Sequence, residues 1–187
     1  MGRIKLLGLE PLKSPKFVKP FLIRYEIDEK EGFWEAAKVH DSVAVLIYHR
    51  QKEAFVLVKQ FRPPLFVNHS LEFCYELCAG ILDKNKTERE TAAEEILEET
   101  GYAVDSATLR QIASFYTSVG FAGSKQSLFY AEVSEDMRVS QGGGVEEERI
   151  EVVYLPIGEA ERFLREDSVP KTPGLMYALC WWFSKNS

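Results

Sequence analysis

Apart from Leu22, apolar and polar residues alternate along "FLIRYEID": Phe21, Ile23, Tyr25 and Ile27 fall on one side, Arg24, Glu26 and Asp28 on the other. A period of two marks a half-buried strand. The polar stretch "EKEG" then turns the chain into "FWEAAKVHD", its expected hairpin partner. "SVAVLIYH" and "AFVLVKQF" are nearly continuous apolar runs joined by "RQKE", and Pro63 and Pro64 are expected to end the second strand. "LEFCYELCAGILD" predicts a strand entering a glycine-containing loop, and "TLRQIASFYTS", "QSLFYAEV" and "IEVVYLPI" predict three more strands. "GLMYALCWWFSKNS" is apolar almost all round and predicts a buried C-terminal helix. Strands and helices mixed in this order, without regular alternation, predict an α+β fold with helices covering a sheet. Residues 1–40 read as a small antiparallel β appendage and residues 41–187 as the main domain.

One helix stands out by its charge. In "ETAAEEILEETGY" Glu90, Glu94 and Glu98 recur at every fourth position, and Glu95 lies one turn before Glu99. Each such like-charge pair costs an isolated helix about 0.2–0.5 kcal/mol. Thr87 and Glu90 form a capping box and Gly101 stands where a C-terminal glycine belongs, so the ends of the helix are well specified. Ala92, Ala93, Ile96, Leu97 and Thr100 are expected to supply its buried side. Glu95, Glu98 and Glu99, at i, i+3 and i+4, converge on one patch. Carboxylates crowded in this way either titrate or bind a hard cation such as Mg²⁺, which takes oxygen ligands and keeps positions open for phosphate. A second acidic run, "VEEERIE", follows the three glycines Gly142, Gly143 and Gly144, expected to form a mobile connection.

Composition narrows the classes of partner. Hydrophobic residues make up 45% and charged residues 28%, ordinary for a soluble globular chain. The net charge of −6 and the lack of a basic stripe argue against nucleic acid, and no apolar run is long enough to span a membrane. Cys74, Cys78 and Cys180 are an odd number for a disulfide framework, and the first two lack nearby histidines for zinc. Together with an N-terminus lacking the features of a secretory signal, they predict a cytoplasmic protein with reduced thiols.

Gly80 to Tyr102, "GILDKNKTERETAAEEILEETGY", resembles the Nudix box: Gly, five residues, Glu, seven residues, then Arg-Glu-aliphatic-x-Glu-Glu-x-Gly-aliphatic. Gly80, Glu95, Ile96, Glu98, Glu99 and Gly101 match in register. Lys86 stands at the first glutamate, Glu94 at the arginine and Tyr102 at the last aliphatic position, which leaves open the family's arginine-to-glutamate contact. The strings "FWEAAKVHDSVAVL", "LVKQFRPP", "YELCAGILD", "SVGFAGSKQSLFYAEV" and "GGGVEEERIEVVYLP" resemble, in this order, the nucleoside-diphosphate-sugar branch of the family. "HDSVAVL", "KQFRP" and "PKTPG" are most similar to animal UDP-glucose (UDP-sugar) diphosphatases.

The resemblance implies an α/β/α Nudix sandwich with a mixed sheet, and a homodimer whose N-terminal strands are exchanged with or packed on the partner. It also implies roles. The Ala79 carbonyl, Glu95 and Glu99 would hold divalent metal, magnesium or manganese, with Glu98 as a further ligand or as the group that positions water. Arg62 would meet the diphosphate, Trp34 would stack on the base, Gly80 would also bind substrate, and Gly120 would lie in a loop near it. A Glu-x-Glu pair before the strand "IEVVYLPI" matches Glu146 and Glu148, the candidates for general base, with Glu146 nearer the glycine hinge. The expected activity is Mg²⁺-dependent hydrolysis of a UDP-sugar to UMP and a sugar 1-phosphate. The alternatives are the same chemistry on ADP-ribose, and an inactive Nudix fold that binds a nucleotide-sugar or a protein.

Overall fold

The structure, a computed structural model, describes residues 4–144 and 149–186. Strands β1 (Lys19–Ile27) and β2 (Lys30–Lys38) form the expected hairpin in a two-stranded sheet of its own. The turn is tighter than "EKEG" suggested. Asp28 and Glu29 alone make it, with φ of 51° and 60°, and Ile27 pairs directly with Lys30. Two residues of positive φ match the right-handed twist of the flanking strands.

The main sheet has seven strands. β3 (Ser42–His49) lies at its centre, antiparallel to β4 (Ala54–Phe61) and β6 (Cys78–Ile81), and parallel to β8 (Ser124–Val133). β5 (Phe73–Glu76) and β9 (Ile150–Pro156) pair with β4, and β7 (Arg110–Thr117) closes the other edge against β8. The sheet is therefore mixed. On β3, Val43, Val45 and Ile47 pack with Ala92 and Ile96 on one face, while Ala44 and Leu46 pack with Leu175, Ala178 and Leu179 on the other. Burial on both faces explains why β3 reads as an unbroken apolar run. The layers are α/β/α: α2 (Glu88–Glu95) on one side, α3 (Ile157–Arg165) and α4 (Pro173–Asn186) on the other.

Several expectations change. Pro63 and Pro64 do end β4, but they also occupy the first positions of helix α1 (Pro63–His69), where a missing N–H costs nothing. Gly80 lies within β6 rather than in a loop. Leu97 is 39% exposed while Glu99 is only 6% exposed, so the acidic helix buries a carboxylate where an apolar residue was expected. The C-terminal helix buries one side, and Met176, Tyr177 and Cys180 are exposed. Among the described residues no helix is long and apolar enough to cross a membrane.

Candidate active site

Arg62 follows the last residue of β4 in extended conformation and caps α1. Its Nε donates to Glu76 Oε1 at 2.7 Å and its Nη2 to Oε2 at 2.8 Å. Glu76 ends β5, opposite Val58 of β4, and its side chain is 11% exposed against 46% for Arg62. The hydrogen bonds to Glu76 raise the pKa of the guanidinium, against the opposing effect of its burial, so this cation is oriented and permanent.

The acidic helix starts as its sequence specifies, with Thr87 and Glu90 forming the reciprocal capping box. After Glu95 the helix widens into a π-helical turn, Ile96–Thr100, closed by Gly101 donating to the Leu97 carbonyl at 3.0 Å. Such turns are frequent at functional sites. Glu95 lies across β6 so closely that a Cβ on Gly80 would overlap its side chain, and any larger residue there would force Glu95 to move. Glu99 accepts a hydrogen bond from the Ala79 N–H at 3.1 Å. Glu95, Glu99, Ala79, Gly80, Arg62 and Glu76 thus line one cavity of about 380 Å³.

Glu98 does not line that cavity. Trp34 and Gly120 lie outside it too but meet each other: the indole N–H donates to the Gly120 carbonyl at 2.7 Å. The Ala37 N–H donates to the Phe121 carbonyl at 2.8 Å, so the hairpin is docked on the turn between β7 and β8. Ser118 of that turn borders a second cavity, about 630 Å³, which shares Arg62 and Glu76 with the first. Glu146 and Glu148 lie outside the described residues. Glu76 was missed by sequence reasoning. The signal for it was a carboxylate in register with the buried Cys74 on a strand whose inward positions should be apolar.

The glycines before the acidic run are packed rather than free. Gly143 donates to the Glu99 carbonyl at 2.8 Å and Gly144 to the Glu98 carbonyl at 3.1 Å, satisfying acceptors that a helix end leaves open. Gly142, at φ 69°, approaches so closely that a Cβ would collide with the Glu99 carbonyl.

Among the described residues no three His, Cys, Asp or Glu side chains are already gathered as a closed metal cluster. Besides Glu76, which holds Arg62, the cavity offers the carboxylates of Glu95 and Glu99 beside the main chain of Ala79 and Gly80. These are hard oxygen donors of the kind that suits Mg²⁺ or Mn²⁺ and leaves positions for phosphate oxygens. The neighbouring Cys78 is fully buried, and burial first, then Glu99, pushes its thiol pKa well up, so it is no competing soft ligand.

The NUDIX domain family matches this chain over residues 38–176, from the end of β2 into α4. The chain belongs to the Nudix family. It is 34% identical to the uridine diphosphate glucose pyrophosphatase NUDT14 of Bos taurus, over 98% of this chain and 96% of that protein. Identity to the GDP-mannose pyrophosphatase of Cronobacter sakazakii is 37%, over 77% of each chain. Nudix hydrolases generally need divalent metal ions, in keeping with the oxygen donors of this cavity. Two of the residues that depart from the Nudix box meet in space: Lys86 Nζ lies 2.8 Å from Glu94 Oε1. The third departure, Tyr102, is fully buried in the aliphatic position and hydrogen-bonds Tyr154 of β9 at 2.7 Å through the two hydroxyls.

Proposed function

We propose that this Nudix protein hydrolyses the diphosphate of a nucleoside-diphosphate sugar of the UDP-glucose type, giving UMP and a sugar 1-phosphate. The observation that carries this reading is the Arg62–Glu76 fork on the wall of the cavity that also holds Glu95 and Glu99. A diphosphate needs a fixed cation and a hard-metal site side by side, and the names of the relatives supply the substrate class.

Glu95, Glu99 and the Ala79 carbonyl would hold Mg²⁺ or Mn²⁺. Bound there, the ion would neutralise phosphate oxygens and make water more acidic. Arg62 binds the negative charge that grows as water attacks phosphorus and the bridging P–O bond breaks. Glu76 keeps that guanidinium in place. Glu146 or Glu148 takes the proton from the attacking water. Trp34 supplies an aromatic face for the base from the docked hairpin. A second subunit covers the exposed Phe21, Leu22, Ile27 and Phe33 of that hairpin, making a homodimer. The free thiols fit a cytoplasmic setting.

A panel of nucleotide-sugars with Mg²⁺ or Mn²⁺, with products separated, tests the reading. UMP and glucose 1-phosphate from UDP-glucose are expected. Faster turnover of ADP-ribose would move the protein to the alternative substrate, and no turnover across the panel would favour the inactive fold.

A further inference from the structure

Glu94 of the acidic helix is closed in by two lysines. Lys86 Nζ lies 2.8 Å from its Oε1 and Lys84 Nζ 3.2 Å from its Oε2. Oε2 is shut off from solvent with no well-aligned hydrogen bond, so the charge of Lys84 is what balances it. Both lysines belong to the segment 82–86 that links β6 to the capping box at Thr87. Glu94 lies seven residues beyond Thr87, about 10 Å along the helix axis. The lysines reach it only because the segment folds back along α2.

The segment is thereby pinned at two places, by the capping box and by Glu94. Two and three residues before it stand Gly80 and Ala79, and immediately after Glu94 stands Glu95, which lies across Gly80. Both halves of the oxygen-donor site are therefore tied to this pair of contacts. We propose that Lys84, Lys86 and Glu94 are positioning residues for the metal-binding carboxylates, forming an ion pair whose polarity is the reverse of the order written in the Nudix box. The box has glutamate in the loop and arginine on the helix; here the loop carries the cations and the helix the anion. Exchanging both partners keeps the contact, whereas exchanging one brings like charges together.

Lysine pairs that are 49% and 41% exposed add little to global stability, so the effect of losing them falls on geometry.

The proposal rests on the metal reading above but not on the identity of the substrate, so its test reads Mn²⁺ binding to the full chain without nucleotide. Electron paramagnetic resonance of free Mn²⁺ gives the affinity, and thermal unfolding runs in parallel. Glu94→Gln and Lys86→Glu should each weaken Mn²⁺ binding by about 10-fold, the cost of removing a partner that orients a metal ligand, with the melting temperature nearly unchanged. The exchange K84Q/K86E/E94R, which also removes the second lysine that would otherwise face the new arginine, should bring affinity back to near the wild-type value. Unchanged Mn²⁺ binding by Glu94→Gln, or no recovery in the exchanged variant, overturns the proposal; so does a wild-type chain that binds no Mn²⁺. If Lys86→Glu fails to fold, the near-isosteric Glu94→Gln decides alone. Mn²⁺ binding that follows this pattern without turnover of UDP-glucose leaves the positioning role standing and removes only the substrate assignment.

Discussion

Arg62 and Glu76 are joined by two parallel hydrogen bonds across neighbouring strands, and the carboxylate is the more deeply buried partner. Glu76→Gln keeps one acceptor oxygen but puts an amide donor opposite a donor. The guanidinium should then lose its fixed orientation, raising KM and lowering kcat/KM by about 10- to 100-fold. Arg62→Lys cannot restore the fork and should cost at least as much. Steady-state kinetics on UDP-glucose would separate these expectations from a purely structural role, in which kcat/KM would fall only as far as the folded fraction.

Glu95 and Glu99 should differ in how their loss affects the metal-free protein. If both carboxylates hold the metal as proposed, either Glu→Gln change should lower activity by orders of magnitude, even with Mg²⁺ in excess. Glu95→Gln also relieves repulsion on the helix, so its apo melting temperature should hold or rise. Glu99→Gln weakens a buried acceptor for the Ala79 N–H and should lower it. Calorimetry of both variants in chelator checks the contrast.

Gly142→Ala should be costly although no catalytic group is touched. Its φ of 69° and the approach to the Glu99 carbonyl both exclude a Cβ. The strain is expected to be roughly 1–3 kcal/mol, read by urea unfolding. Activity should fall further than stability, since the turn bearing Glu99 would be displaced.

If Glu146 or Glu148 is the general base, glutamine at that position should cut turnover by roughly 10²–10⁴ while Mn²⁺ binding stays close to wild type. Normal turnover in both single variants and in the double variant would place the base elsewhere.

Thiol reactivity offers a test of packing. Cys180 is exposed, whereas burial pushes the Cys74 pKa up to about 11 and Cys78 is fully buried. At pH 8 one thiol should react promptly in the native protein and all three after unfolding. Prompt reaction of a second thiol would contradict the packing of β5 or β6.

The acidic helix was legible because its determinants are local: a capping box, a terminal glycine and glutamates at fixed spacing. A sheet covered by helices was legible from the mixed order of strands and helices, while its α/β/α layering came from the resemblance to the Nudix family. What escaped the sequence depends on long-range approach. Arg62 and Glu76 are neighbours only through the pairing of β4 with β5. Gly142 to Gly144 look like a flexible tract until the end of the acidic helix is set against them. Helix α1 was hidden because two prolines mark the end of a strand and the start of a helix equally well. Helix α3 is short, and of its residues only Ile157 entered the sequence reading, as the end of the strand before it.

The contact between Lys86 and Glu94 bears on how relatives of this protein are found. A motif scored one position at a time charges the exchange twice, once for each residue, and ranks such chains among degenerate copies. Scored as a pair, the same two letters conserve opposite charge at one point in space. In this chain the residue eight positions before the missing box arginine is a lysine lying against the glutamate that replaces it, so the two departures are one change of sign at one contact.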